Sequence, residues 1–352
     1  MTIICRRAFS NDIKPAARVA TIMQEGNIFA TFTALANEHE AVNLGQGFPS
    51  FGSPEFLTAK LTEICRGDVF SENGPADLNN QYTKPGEEPT LANKLSTIYS
   101  NEFNRELDPS NICTTVGAQE GIYTTMAAFC NPGDEIVVMT PCFDAYFKTA
   151  SVLGLRVKGV PLTQTSNLSS RHPTAGDYTL DLDELRRALS PHTKLLLLNT
   201  PSSPLGKVFT DTELCGISDL VTREFPQLLV LSDEVYEYMT YDNKKHLHIA
   251  TNDGMWERTV SIYSAGKTFS CTGWRLGYLI GPSELIDPIK TLHSVINFST
   301  TTPLQKALAV ALDEANKGNY KHWLQDLLQS KRDSFCGALK NMGMRHSLGW
   351  PV

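Results

Sequence analysis

Residues 264–278 read SAGKTFSCTGWRLGY. Lys267 stands among small and hydroxylated residues, at the end of the strand-like run RTVSIYSAG (258–266) and eight residues ahead of Arg275. A lysine taken at random is a solvated surface group. This one closes an apolar run of the kind that is buried on both faces of a sheet. Desolvation disfavours the charged form of an amine, so a lysine held there loses its proton more readily than one in water. The neutral amine is the form that condenses with a carbonyl.

Working outward from this stretch, four more apolar runs read as strands: EIVVMTP (135–141), KLLLLNTP (194–201), QLLVLSDEVY (227–236) and LGYLIGP (276–282). Each is continuously apolar rather than alternating and ends in polar, Gly or Pro residues. Helical patterns lie between them, such as DLDELRRAL (181–189), with Asp181 placed to cap and Glu184 three residues on. This layout predicts an α/β protein with a mostly parallel sheet covered by helices. Residues 12–43 and 303–343 are mainly helical in pattern and are expected to form something smaller beside the sheet. There is no internal repeat and no low-complexity tract.

Ligands of open α/β sheets sit beyond the carboxyl ends of the strands. The residues there are Phe143 after the first run, Asn199-Thr200-Pro201 after the second, Asp233 through Tyr236 after the third, and Ser264 through Lys267. An acid at a neighbouring strand end, Asp233, is suited to hold a proton on a ring nitrogen; Tyr236 to reach an adjacent ring hydroxyl; Phe143 to stack on the ring face. The turn TVGAQEG (115–121) leads into a helix whose free N–H groups and dipole make an anion site, on which Ser264 and Arg275 can close. Singly, each has an ordinary explanation: Asp233 as a helix cap, Arg275 in a surface ion pair, Phe143 as core. Together, and in this order, they describe a pocket for a phosphorylated pyridine aldehyde, pyridoxal phosphate.

Bulk properties agree. The chain has 352 residues, 41% hydrophobic and 20% charged, enough for one large and one small domain or for two comparable ones. Its net charge of −7 argues against a nucleic-acid partner, and no apolar run approaches the roughly 20 residues that span a bilayer. Eight cysteines without a CxxC pair read as thiols in a reducing compartment rather than as disulfides or a metal site. The N-terminus lacks a secretory apolar core, and Asp12 suits a transit peptide poorly; the cytosol is favoured, with the mitochondrion left open.

The sequence resembles the fold-type-I aminotransferases of class I/II, and within them the kynurenine aminotransferase and cysteine-S-conjugate β-lyase group. The resemblance rests on VNLGQGFPSF (42–51), NQYTK (80–84), PCFDAY (141–146), NTPSSPLGKVF (199–209), SDEVYEYMTYD (232–242) and the run 254–282. It implies a seven-stranded-type sheet, with an amino-terminal arm and part of the small domain in 1–44, a pyridoxal-phosphate-binding large domain in 45–300, and the start of a truncated small domain in 301–352. It also implies that Lys267 is the Schiff-base lysine and the base that moves the Cα proton. Asp233 would pair with the pyridinium nitrogen, Tyr236 bond the ring hydroxyl, and Phe143 stack. Ala118, Gln119, Ser264 and Arg275 would hold the phosphate. Tyr82 would reach the phosphate of a neighbouring subunit in a homodimer, and Gly47 and Phe29 would line the substrate side. The implied reaction is transamination between an aromatic or sulfur-containing L-amino acid and a 2-oxo acid, with β-elimination on cysteine S-conjugates alongside it. The resemblance leaves open other reactions that use the same cofactor machinery.

Three departures carry expectations of their own. Ser203 stands where the family has an asparagine that bonds the cofactor ring hydroxyl; its shorter side chain predicts the loss of one hydrogen bond, about 0.5–1.5 kcal/mol. Glu87 stands where the family has a glycine, which predicts altered backbone near the dimer contact. After NMGM (341–344) the tail RHSLGWPV leaves the motif pattern, and with it the region where the family carries the arginine that clamps the substrate carboxylate; Arg345 is given no such role. Ser203 and this ending motivate the alternative reading, a catalytically weak or inactive homologue that serves as a dimer partner.

Overall fold

The computed structural model describes residues 13–26, 28–45, 47, 49, 51–66, 78–164 and 174–343. The tail beyond 343, with Arg345, lies outside them. The spine of the molecule is one sheet of eight strands: β1 (Ile112–Thr115), β2 (Glu135–Thr140), β3 (Arg156–Gln164), β4 (Tyr178–Leu180), β5 (Thr193–Asn199), β6 (Leu229–Asp233), β7 (Thr259–Ser264) and β8 (Gly277–Ile280), in the spatial order β1-β8-β7-β6-β5-β2-β3-β4. β3, β2, β5, β6 and β7 pair in parallel, whereas β4, β8 and β1 pair antiparallel with their neighbours. The eighth strand is the three-residue edge β4, added to the seven expected.

The helices are α1 (Ala17–Glu25), α2 (Ile28–Glu38), α3 (Glu55–Arg66), α4 (Pro89–Glu102), α5 (Ala118–Phe129), α6 (Ala145–Leu153), α7 (Leu182–Ala188), α8 (Asp211–Glu224), α9 (Ala265–Thr268), α10 (Ser283–Ile296), α11 (Thr302–Lys317) and α12 (Tyr320–Asn341). Because side chains alternate across a strand, the four buried leucines of β5 divide between two cores. Leu195 and Leu197 meet α5, α6 and α10 through Ile122, Tyr146 and Ile289. Leu196 and Leu198 meet α7 and α8 through Leu185, Leu214 and Ile217. Each such burial contributes about 1.5–3 kcal/mol. A third cluster joins Tyr278 and Ile280 of β8 to α3, α4, α11 and α12. Asp181 caps α7 as expected, accepting from the N–H groups of Asp183 and Glu184 at 2.8 and 3.2 Å.

β8 runs against the expectation of a parallel run. The connection from β7, residues 265–276, contains only the four-residue α9 and a 3₁₀ turn at Thr272–Trp274. A parallel return needs a crossover of a dozen residues or more, usually a helix along the sheet. The chain therefore stays at the same end and β8 descends beside β7, pairing Gly277 with Ser264 on one side and with Thr115 on the other. This places Lys267, at the top of the rising strand, near Arg275, at the top of the falling one.

Glu87 is accommodated without strain. Gly86 takes the positive φ of 70°, while Glu87 pairs with Lys290 at 3.1 Å and Lys84 at 3.2 Å. Among the described residues no helix is long and apolar enough to cross a membrane.

A Cβ on Gly277 would fall 2.7 Å from the Ala118 nitrogen and 2.8 Å from the Gly117 carbonyl carbon. Gly277→Ala is therefore expected to lower stability by about 1–3 kcal/mol in denaturant unfolding. A wild-type midpoint would contradict this packing.

Candidate active site

The carboxyl ends of β2, β5, β6 and β7 open on a cavity of about 440 Å³. Phe29, Gly47, Ala118, Gln119, Phe143, Ser203, Asp233, Tyr236, Ser264, Lys267 and Arg275 all line it. Tyr82 does not: it is 82% exposed, with its ring edge-on to Phe298 at 4.9 Å.

At the centre, Lys267 Nζ donates to the Gly47 carbonyl at 2.8 Å and lies 5.2 Å from the centre of the Tyr236 ring. Burial lowers the pKa of the amine; the Asp233 carboxylate opposes the shift, and Arg275 reinforces it. Asp233 closes β6, one strand away, and is 4% exposed. Burial pushes its carboxyl up to about 6, against the Tyr146 hydroxyl, which donates to Oδ2 at 2.6 Å, and the Val235 N–H, which donates to Oδ1 at 3.3 Å.

The turn into α5 is suited to hold an anion. Gly117, at φ 76°, leads into α5, whose first N–H groups have no partner within the helix. The Arg275 guanidinium packs so closely on this turn that a Cβ at Gly117 would sit 2.6 Å from Nη2. Ser264, Ala118 and Gln119 line the same cavity. Phe143, also on the cavity wall, stands edge-on to Tyr146, ring centres 5.7 Å apart.

Ser203 is turned inward. Its N–H donates to Asn199 Oδ1 at 2.7 Å, and its side chain hydrogen-bonds the Tyr236 phenol, whose pKa burial nevertheless raises to about 12. The lost asparagine is thus replaced by a hydroxyl pair, Ser203 with Tyr236.

Beneath the site, Glu234 is fully buried and accepts from His246 Nε2 at 2.8 Å, His248 Nδ1 at 2.5 Å and the Tyr263 hydroxyl at 3.0 Å. Burial works against its charge, yet the two histidines hold the carboxyl well below its usual range. With Ser232 and Ser261 donating to Oε1 at 2.7 and 3.2 Å, both oxygens of the acid are occupied. The network braces the backbone next to Asp233.

The sequence placed Asn199 at a strand end without a role and gave Tyr146 none. Tyr146 lies three residues after Phe143, on the first turn of α6, and that spacing was the available signal. Asn199 ends a strand already recognised; its Nδ2 donates to the Asp233 carbonyl at 2.9 Å.

The chain that carries this cavity is similar in sequence and fold to known proteins. The family profile for aminotransferase class I and II covers residues 39–352. The chain belongs to the class I and II aminotransferases. It is 36% identical over 344 residues to the kynurenine–oxoglutarate transaminase of Dictyostelium discoideum, covering 96% of this chain and 77% of that protein. Its fold is similar to N-succinyldiaminopimelate aminotransferase of Mycobacterium tuberculosis, with a TM-score of 0.82 and 32% identity over 94% of this chain and 80% of that one. YbdL of Escherichia coli, a protein with a methionine aminotransferase function, aligns with a TM-score of 0.79 and 28% identity, covering 93% and 79% of the two chains.

The cofactor of this family is pyridoxal phosphate, and the residues fit it. One cavity is lined by groups suited to each part of it: the Ala118–Gln119 turn with Ser264 and Arg275 for a phosphate, Asp233 for a ring nitrogen and Lys267 for an aldehyde.

The Tyr146 hydroxyl stabilises the ionised Asp233. A hydrogen bond to a charged group contributes about 1.5–3 kcal/mol, or roughly 1–2 pH units. Cofactor affinity in the wild type is expected to fall as the pH drops through about 6, where Asp233 takes up a proton. In Tyr146→Phe the same limb is expected to lie roughly 1–2 units higher. Titration of cofactor binding by absorbance checks this, and an unmoved limb would show that Tyr146 does not govern Asp233.

Proposed function

We propose that this protein transfers the amino group of an aromatic or sulfur-containing L-amino acid, of the kynurenine type, to a 2-oxo acid, and that it also eliminates across the Cβ–S bond of cysteine S-conjugates. The observation that carries the reading is the meeting of Lys267, Asp233 and the anion turn in one cavity. When bound, pyridoxal phosphate supplies an aldehyde for the amine and an electron-withdrawing ring that takes up the electrons left when the Cα proton departs.

The residues of this chain do the rest. Lys267 Nζ, which burial makes readier to lose its own proton and so to stand as a free amine, takes the proton from the substrate Cα and returns it two atoms away, across the nitrogen. Asp233 holds a proton on the ring nitrogen and is itself kept anionic by Tyr146. Tyr236 and Ser203 orient the ring hydroxyl, and Phe143 covers the ring face. Ala118, Gln119, Ser264 and Arg275 take the phosphate through backbone amides, a hydroxyl and a guanidinium. Phe29 and Gly47 border the substrate, where an apolar wall accepts aromatic and thioether side chains. Substrate class rests on likeness to the Dictyostelium kynurenine transaminase and the methionine-active YbdL.

Pairing with a second copy belongs to the same reading. Tyr82, Val295 and Phe298 are 82%, 79% and 51% exposed, an apolar group outside the chain's own cavity, and a second copy would cover them and bring Tyr82 to a phosphate. A cytosolic setting fits the free cysteines found among the described residues.

Purified protein supplied with pyridoxal phosphate, L-kynurenine and 2-oxoglutarate is expected to form glutamate and to sediment as a dimer. Methionine and a cysteine S-conjugate are the comparison donors. Lys267→Ala is expected to lose about 10²–10⁴-fold in rate or more. Cofactor binding with no turnover of any of these donors would overturn the reading in favour of a non-catalytic partner subunit.

A further inference from the structure

One acid sits where an acid should hinder the site. Glu120 lies in the first turn of α5, the helix whose amino end forms the anion site, so its carboxylate and a phosphate repel. The structure turns this side chain backwards. Glu120 Oε2 accepts the N–H of Val116, the residue before Gly117, at 2.5 Å, and Oε1 pairs with His293 Nδ1 at 2.6 Å. His293 is on the last turn of α10, 173 residues away in sequence, and its side chain is fully buried. Its Nε2 has no hydrogen-bond partner among the described residues, so Glu120 is the polar contact that fixes the ring. Since a carboxylate only accepts, the shared hydrogen belongs on Nδ1.

We propose that the Glu120–His293 pair is a positioning device for the phosphate-binding turn: His293 draws the carboxylate to the back of the turn, and the carboxylate in turn pins the Val116 N–H and presets residues 117–119. Two results follow from the one contact. The negative charge is held away from the cavity, which Glu120 does not line. The backbone entering Gly117 is fixed before any ligand arrives, so ordering it costs nothing on binding. The pair touches neither the amine nor the ring, so its effect falls on the phosphate alone. This rests on the reading of 117–119 as a phosphate site.

The test compares pyridoxal phosphate with pyridoxal, which lacks the phosphate, as ligands of protein stripped of cofactor. His293→Phe keeps a buried ring but leaves Glu120 unheld; it is expected to weaken pyridoxal phosphate about tenfold or more while leaving pyridoxal within about twofold. Adding Glu120→Gln to His293→Phe removes the loose charge and is expected to recover most of that loss. Glu120→Asp, too short to reach both partners, is expected to show the same selective loss, and it serves if His293→Phe does not fold. Equal weakening of both ligands, no change in either, or no recovery in the double variant would overturn the proposal. Wild-type protein that binds the two ligands alike would instead overturn the phosphate site itself, and the proposal with it.

Discussion

A single reversal of chain direction organises this protein. Because β7 rises and β8 immediately falls beside it, the residue that ends one strand and the residue that begins the next face the same opening, with Ser264 and Gly277 in register. Seven residues separate Lys267 from Arg275, and none of them has to cross the sheet. The same pairing leaves room beside Gly277 for the Gly117–Ala118 turn, which enters from β1 on the far side. Amine, guanidinium and helix amino end thus share a site because of one backbone arrangement. The side chains occupy positions that it defines.

The electrostatics depend on the depth of that site. Burial makes Lys267 give up its proton more readily, and burial also pushes Asp233 towards protonation. Two groups pressed towards neutrality by burial are each one favourable partner away from their working charge state. For Asp233 part of that help is present in the Tyr146 hydroxyl. Glu234, the next residue along, shows the opposite solution: the carboxyl is surrounded by histidine, tyrosine and serine donors and stays ionised at a lower pH than usual. Adjacent acids on one strand end serve different ends, one braced for structure and one left adjustable for chemistry.

Legibility in the sequence followed physical visibility. β2, β5, β6 and β7 were readable because strands buried on both faces are continuously apolar, and their polar ends marked the site. β3 was not readable: it lies near the edge, it is partly exposed along much of its length, and Gly159 and Pro161 interrupt it. The direction of β8 was invisible in its composition, since an apolar run has no polarity of its own; the twelve residues joining it to β7 held the clue. Tyr146 was within reach, one helical turn from Phe143. The link between Glu120 and His293 was not, because nothing in either neighbourhood announces a contact across so much chain. Glu87, expected to disturb its loop, instead found Lys290 across the fold.

Among the described lysines, Lys267 is the one that lines the cavity. The most direct measurement is borohydride reduction of the protein in the presence of pyridoxal phosphate, followed by peptide mapping by mass spectrometry. A phosphopyridoxyl group on the peptide containing Lys267 and on no other is the expected result. Label spread over surface lysines, or placed on a single lysine elsewhere, would contradict it.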